Sequence, residues 1–159
     1  MSKLADKLAF RRELPRHLRE LSLLLGRSVD TLDLLSIDDT KELRSQANQV
    51  TREPASTFQI PFDATREPRF GMFVRRLEEA NTSPVYVWTP ASNACGLLKP
   101  TPLGVVRMEF PFDLNPEGIV AILTSDLQDE LLLDYSKGDR DQRELEVEAS
   151  GKHWGLIAY

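Results

Sequence analysis

Short apolar runs separated by polar turn residues fill the last third of the chain. Each run has the length of a β-strand and is rich in Val, Ile, Leu and aromatic residues. Clusters of Asp, Gly, Ser and Lys separate the runs, as turns separate strands. The pattern predicts a meander of four strands over Gly118–Thr124, Glu130–Tyr135, Arg143–Ala149 and His153–Tyr159.

Leucines recur every three or four positions in the first part of the chain, which is the period of amphipathic helices. Leu4 and Leu8 share one face of a first predicted helix, and Pro15 fits the first position of a second. Gly26 is predicted to end this second helix. Its apolar face is formed by Leu14, Leu18, Leu21 and Leu25. Residues 1–50 are therefore predicted to be a helical N-terminal segment.

The most regular helical pattern of the chain begins at Pro68. Apolar residues follow at spacings of i, i+3, i+4 and i+7, and arginine and glutamate residues occupy positions between them. This spacing predicts one central amphipathic helix. Its buried face is formed by Phe70, Phe73, Val74 and Leu77.

Strand-like patterns on both sides of this helix indicate the fold class. They predict further strands over 58–62, Val85–Thr89 and Leu103–Phe110. Pro61 restricts the first of these to an edge of the sheet, because proline lacks the N–H that a central strand donates. The Ala91–Pro102 loop is long enough to be either functional or mobile. We therefore expect one compact α+β domain, in which N-terminal helices and the central helix pack on a mostly antiparallel sheet of five or six strands, with residues 51–159 as its core.

Length, hydropathy and cysteine content narrow the class of protein. The chain has 159 residues, of which 41% are hydrophobic, as expected for one soluble domain. No apolar run approaches the roughly 18 residues that a membrane span requires. The N-terminus lacks the apolar region of a signal peptide, and the single Cys95 forms no internal disulfide. We expect a cytoplasmic protein without a membrane partner.

The net charge of −5 is concentrated in the C-terminal half. Residues 1–83 carry 14 Lys/Arg and 13 Asp/Glu, whereas residues 84–159 carry 6 and 12. An acidic sheet attracts basic proteins and repels the phosphate backbone of nucleic acids. Nucleic acid is therefore not expected as the partner of the sheet.

Residues suited to catalysis or metal binding are few and scattered. Cys95 needs His17 or His153 within hydrogen-bond reach to form a reactive thiolate, and its local sequence matches no activated-thiol motif. The chain has no close spacing of metal ligands and no glycine-rich phosphate loop. We therefore expect a protein that is not an enzyme and that uses no cofactor or metal. Rapid labelling of Cys95 near neutral pH would indicate the opposite.

One alternative is a DNA-binding regulator that uses residues 14–45. A helix, a turn at Gly26 and a second helix that begins near Asp30 resemble a helix-turn-helix. Residues 1–27 also carry 7 Lys/Arg against 3 Asp/Glu. However, Asp30 and Asp33 would place carboxylates where phosphate and base contacts are needed, so ordinary helical packing is the preferred interpretation.

Acidic residues form the most coherent predicted surface. Alternation along the third strand of the meander turns Leu145, Val147 and Ala149 inward, and the three glutamates of that strand outward. A row of like charges reduces stability, so the row is either an ordinary solvated face or a docking surface for a basic protein. With the carboxylates of neighbouring turns, the predicted surface consists of Glu144, Glu146, Glu148, Asp126, Asp129, Glu130, Asp139 and Asp141.

Five segments of the chain resemble the small immunity proteins of bacterial contact-dependent growth inhibition and related polymorphic toxin systems. They are Phe70–Leu77, Pro84–Trp88, Gly118–Asp126, Leu131–Ser136 and Glu144–Trp154. The resemblance covers roughly residues 58–156 and leaves the N-terminal helices outside it.

The resemblance implies a non-catalytic protein that binds the C-terminal toxin domain of a cognate effector, often a nuclease, inside the producing cell. A nuclease holds phosphates in a basic site, so an acidic inhibitor gains fast association and complementary charge. Tyr86, Trp88 and Trp154 are candidate anchors of the interface, and core packing is the alternative for each. The predicted function is immunity by stoichiometric occlusion of a basic toxin domain, and the Ala91–Pro102 loop is a candidate for a further contact.

Overall fold

The described residues fold into helices packed around one antiparallel sheet. The structure is a computed structural model that describes residues 3–108, 114–137 and 142–159. The α-helices of these ranges are α1 (Lys3–Leu25), α2 (Ile37–Asn48), α3 (Pro68–Ala80) and α4 (Ser92–Cys95). The strands are β1 (Ala55–Pro61), β2 (Val85–Trp88), β3 (Ile119–Thr124), β4 (Asp129–Lys137) and β5 (Arg143–Gly151). The α+β class predicted from the sequence is confirmed.

The strands of the described ranges form one five-stranded sheet in the order β1-β5-β4-β3-β2. Each neighbouring pair is antiparallel. Strands β3, β4 and β5 follow one another in sequence and in the sheet, which confirms the first three strands of the predicted meander. Strand β1 lies at one edge, where its terminal Pro61 removes no hydrogen bond from the centre of the sheet.

Two of the predicted strands are wrong. Leu103–Val105 and Trp154–Leu156 form short 3-10 turns and do not pair with the sheet. Leu103 and Trp154 are both buried. Their apolar side chains therefore pack into the core from a turn and are not part of a strand. Residues 109–110, at the end of the first of these predicted strands, lie outside the described residues.

Helix α1 continues through Pro15, where the sequence predicted a boundary between two helices. The Pro15 side chain is exposed, and the next turns of the helix bury Leu21, Leu24 and Leu25. Burial of three leucines contributes more than the roughly 3 kcal/mol that an internal proline costs. Gly26 ends the helix with a φ of +64°, as predicted.

The hydrophobic core lies against one face of the sheet, here called the inner face. Phe70, Phe73 and Leu77 of α3 are almost completely buried in the same cluster as the inward side chains of the strands. The indole of Trp154 belongs to this cluster and donates its Nε1–H to the Leu77 carbonyl at 2.8 Å. The inner face includes Val85, Val87, Val120, Ile122, Leu131, Leu133, Tyr135, Leu145, Val147 and Ala149. The alternate residues of each strand form the outer face.

Candidate functional site

Alternation along β5 places its three glutamates on the outer face. Leu145, Val147 and Ala149 are fully buried on the inner face. Glu146 and Glu148 are exposed, and Glu144 is half-buried. The burial pattern predicted for this strand is therefore confirmed, whereas its role in docking stays a prediction.

Asp134 adds a fourth carboxylate to this row, and sequence reasoning missed it. The antiparallel register places Asp134 of β4 directly opposite Glu146 of β5, and Asp134 is exposed. Side chains at directly opposed positions have Cβ atoms only about 4.5–5.5 Å apart. The alternation of β4 around the buried Leu133 and Tyr135 was the available signal. We call Asp134, Glu144, Glu146 and Glu148 the acidic patch.

No cation lies directly opposite the two exposed glutamates of the acidic patch. Glu146 has Gln59 on one side and Asp134 on the other, and the neighbours of Glu148 are Thr57 and Leu132. Among the salt bridges recorded for the described residues, none involves the acidic patch. The repulsion between opposed carboxylates is therefore not neutralised at these positions.

Apolar side chains lie beside the acidic patch on the outer face. Ile119 is 43% exposed and lies opposite Asp134. Leu132 lies opposite both Glu148 and Ala121, and Ala121 lies opposite Trp88. The outer face therefore presents a leucine and an isoleucine directly beside the acidic patch, and a half-buried tryptophan farther along the same face.

The predicted docking residue Glu130 instead holds the chain that follows α2 against the sheet. Its carboxylate lies 3.3 Å from Arg52 Nη1. Arg52 also donates to the carbonyls of Leu127 and Ala47. A cavity of about 160 Å³ remains between α2 and the outer face; its lining includes Ala47, Trp88, Ala121, Leu123 and Glu130. The charge of Glu130 is thus paired within the protein.

The predicted place of Asp129 on the docking surface is wrong, because its side chain is 0% exposed. One carboxylate oxygen, Oδ1, accepts from the backbone N–H groups of His153 and Trp154, both at 2.9 Å. The other, Oδ2, accepts from Asn81 Nδ2 at 2.7 Å and His153 Nδ1 at 2.8 Å. Burial alone raises the pKa of Asp129, but these hydrogen bonds prevail and lower it below 3.8. Asp129 therefore has a structural role at the start of β4.

Asp126 lies in the β3–β4 turn, exposed but bonded within that turn. Its Oδ1 accepts from Thr124 Oγ1 at 2.7 Å and from the Gln128 backbone N–H at 3.1 Å. Burial raises the pKa of Asp126, and the hydrogen bonds outweigh this effect and lower it. A docking role for Asp126 stays a prediction. The two other predicted acidic residues, Asp139 and Asp141, lie outside the described residues.

The two predicted tryptophan anchors have different positions. Trp154 is fully buried in the core, so its prediction as an interface anchor is wrong. Trp88 is half-buried on the outer face and donates from Nε1 to Asn93 Oδ1 at 3.3 Å. Trp88 is the tryptophan that remains available to a partner.

Cys95 and His17 are both buried near the junction of α1 and α4. Burial, followed by the charge of Glu13, raises the pKa of the Cys95 thiol to about 11. Burial also lowers the pKa of His17, whose Nε2 lies 2.9 Å from the Gly96 carbonyl. The thiol is therefore protonated at neutral pH. Within the described residues, no group of three or more His, Cys, Asp or Glu side chains is arranged to hold a metal ion.

The segment predicted as a recognition helix has a different conformation. It forms a single 3-10 turn over Thr31–Asp33, capped by the Asp30 side chain, which accepts from Leu32 N. The next helix, α2, begins only after its N-cap residue Ser36. The connection between α1 and α2 therefore lacks the helix that a helix-turn-helix would insert into the major groove at this point.

The outer face is the surface on which these observations converge. No family model, curated protein or solved structure matches the chain. No helix in the described ranges has the length and apolar character needed to cross a membrane. The acidic patch and its apolar neighbours are therefore the candidate functional site.

Proposed function

We propose that the protein binds a basic partner protein through the acidic patch and occludes the surface that it covers. The observation that carries the proposal is the direct opposition of Asp134 and Glu146 on neighbouring strands, with no cation opposite either of them on the outer face. Each such like-charge pair reduces stability by up to about 1 kcal/mol. Lysine or arginine side chains of a partner would remove this repulsion on binding.

The apolar neighbours of the acidic patch suit an interface better than an ordinary solvated face. Binding energy in protein complexes is concentrated in a few desolvated anchors, and charged residues around them set orientation and association rate. Ile119 and Leu132 lie directly opposite carboxylates of the acidic patch, and Trp88 extends this apolar area on the far side of Ala121. A partner that covers both regions buries apolar surface and pairs the carboxylates together.

The specific partner that we propose is a toxin domain with nuclease activity. The resemblance to immunity proteins of polymorphic toxin systems supports this choice, and so does the chemistry of nucleases, which hold phosphates with basic residues. Occlusion by an acidic protein would block such a site without any reaction. The protein would then act by stoichiometric binding in the cell that makes the toxin.

Affinity purification with a matched pair of variants tests the proposal. The parent chain is expected to retain a basic C-terminal toxin fragment at low salt and at one-to-one stoichiometry. The triple variant Asp134→Asn/Glu146→Gln/Glu148→Gln should lose this fragment. The control Glu42→Gln/Glu53→Gln/Glu79→Gln removes the same charge from exposed positions elsewhere and should retain it.

Two results would overturn the proposal. Retention of the same fragment by both variants would exclude the acidic patch as the docking surface. Recovery of nucleic acid with a steep dependence on salt would instead favour the DNA-binding alternative. Urea denaturation of both variants verifies that neither result comes from unfolding.

A further inference from the structure

One face of α1 is exposed along the whole helix and contains both large apolar and cationic side chains. Its residues follow spacings of three or four, so they form a single stripe. They are Leu4, Leu8, Arg12, Pro15, Arg19 and Leu23, all of them exposed. The exposed fractions of Leu4, Leu8 and Leu23 are 67%, 58% and 49%. We call this stripe the basic–leucine face.

The charges of α1 are segregated around the helix. Exposed cations border the basic–leucine face; they are Lys7, Arg11 and Arg16. The acidic residues Asp6, Glu13 and Glu20 recur every seven positions and lie on a different side. Glu20 is buried, and Glu13 pairs with Arg16 at 2.7 Å and more loosely with Arg12. The solvent-facing surface of α1 is therefore strongly positive although the whole protein has a net charge of −5.

The exposed leucines are not required to hold α1 in the fold. Leu21, Leu24 and Leu25 on the other side of the helix are buried and provide that contact. A nucleic acid would contact the cations through its phosphates, and the exposed leucines would contribute nothing to its binding. An anionic bilayer uses both, because leucines enter the interfacial region while lysine and arginine side chains extend to lipid phosphates.

We infer that the basic–leucine face binds the surface of an anionic lipid bilayer, with α1 lying in the plane of the interface. A helix of 23 residues is about 35 Å long, which allows all the leucines to contact the lipid together. This inference revises the sequence-based expectation that no membrane is a partner. It is independent of the proposed binding of a toxin domain.

The bilayer and the proposed protein partner would occupy different parts of the molecule. Helix α1 packs against α4, which follows the edge strand β2. The acidic patch lies on β4 and β5, and two strands, β4 and β3, separate β5 from β2 in the sheet. An anionic surface would also repel the acidic patch, which favours an orientation with α1 toward the lipid.

Co-sedimentation of the full chain with vesicles tests the inference. The chain should bind vesicles of equimolar phosphatidylcholine and phosphatidylglycerol and should not bind vesicles of phosphatidylcholine alone. Arg12→Gln/Arg19→Gln should weaken binding about 30-fold, since each cation at an anionic surface contributes about 1 kcal/mol. The control Lys41→Gln/Arg75→Gln removes two exposed cations from α2 and α3 and should bind as the parent does.

The leucine variant distinguishes a bilayer from a purely ionic ligand. Leu4→Ala/Leu8→Ala should weaken vesicle binding about tenfold or more, because less apolar area enters the interface. Equal binding to both kinds of vesicle, or full binding by either α1 variant, would overturn the inference. Retention on heparin with no dependence on the leucines, together with absence of vesicle binding, would assign the face to nucleic acid instead. Circular dichroism confirms that each variant is folded.

Discussion

Replacement of Asp129 by Asn changes one atom of a fully buried side chain and tests its structural role. Asp129 accepts two hydrogen bonds at each carboxylate oxygen, and the donors come from Asn81, His153 and Trp154. Asparagine keeps a similar volume but accepts at only one of the two positions. An amide group in place of Oδ2 would face two donors, His153 Nδ1 and Asn81 Nδ2, of which Asn81 Nδ2 also donates to Asp126.

The expected loss of stability follows from these contacts. A hydrogen bond to a charged group contributes about 1.5–3 kcal/mol, and donors left buried without a partner add a desolvation penalty. Partial rotation of the Asn81 amide relieves one of the two clashes. We therefore expect Asp129→Asn to lower the free energy of unfolding by about 3 kcal/mol, a large part of the 5–15 kcal/mol typical of a domain.

Urea denaturation followed by tryptophan fluorescence measures this loss, since Trp154 is buried beside the site. With a slope of about 2 kcal/mol per molar urea, the midpoint should fall by about 1.5 M. The control is Asp134→Asn, which makes the same charge change on the same strand. Because Asp134 is exposed and opposes Glu146, its removal should leave stability unchanged or slightly raised. Equal midpoints for the two variants would refute the reasoning.

Three further predictions concern titratable groups. The pKa of Asp129 is lowered, so the stability that its carboxylate contributes is present above pH 3.8 and is lost as the pH falls through the folded pKa. When the pH is reduced below 4, the urea midpoint of Asp129→Asn should therefore decrease less than that of the parent chain. Burial raises the pKa of Glu20 to about 7, although the Asn115 hydrogen bond and the charge of Arg16 act in the opposite direction. Neutral Glu20 therefore stabilises the protein at low pH, and this stability is lost as the pH rises through 7. Glu20→Gln should stabilise the protein by up to about 3 kcal/mol at pH 8 and little at pH 4, and parallel pH profiles for variant and parent would contradict this. The Cys95 thiol, with a pKa of about 11, should react with a thiol reagent at pH 7.5 much faster in urea than in the native protein; equally rapid labelling of both would show an activated thiol.

The elements that sequence reasoning predicted correctly have signals that are local. The spacing of Phe70, Phe73 and Leu77 specifies the buried face of α3 within two turns of helix. The alternation of Glu144–Ala149 specifies which side of β5 faces the core. In both, neighbours in the sequence carry the whole pattern.

The features that sequence reasoning missed depend on residues far apart in the chain. Asp134 joins the acidic patch only through the register of β4 against β5. The burial of Asp129 depends on Asn81, which lies 48 positions away, and Glu130 is neutralised by Arg52 from the chain after α2. Alternation in sequence identifies the face of a strand but cannot identify partners from other elements.

Apolar residues outside strands caused the two wrong strand predictions. Leu103 and Trp154 each lie in a 3-10 turn, and each turn places one large apolar side chain in the core. A short apolar run has the same composition in a strand and in such a turn, so composition alone does not separate them. The continuous α1 was missed for a related reason, because the tertiary contacts of Leu21 and Leu24 override the local preference of Pro15.

Titration of the nuclease activity of the co-purified basic fragment with this protein tests the central claim most directly. The proposed occlusion predicts that activity falls linearly and reaches zero at one equivalent of the parent chain. The variant Asp134→Asn/Glu146→Gln/Glu148→Gln should associate more slowly and with a weaker dependence on salt. Full activity in the presence of excess parent chain, or inhibition by the variant at the rate of the parent, would contradict the claim.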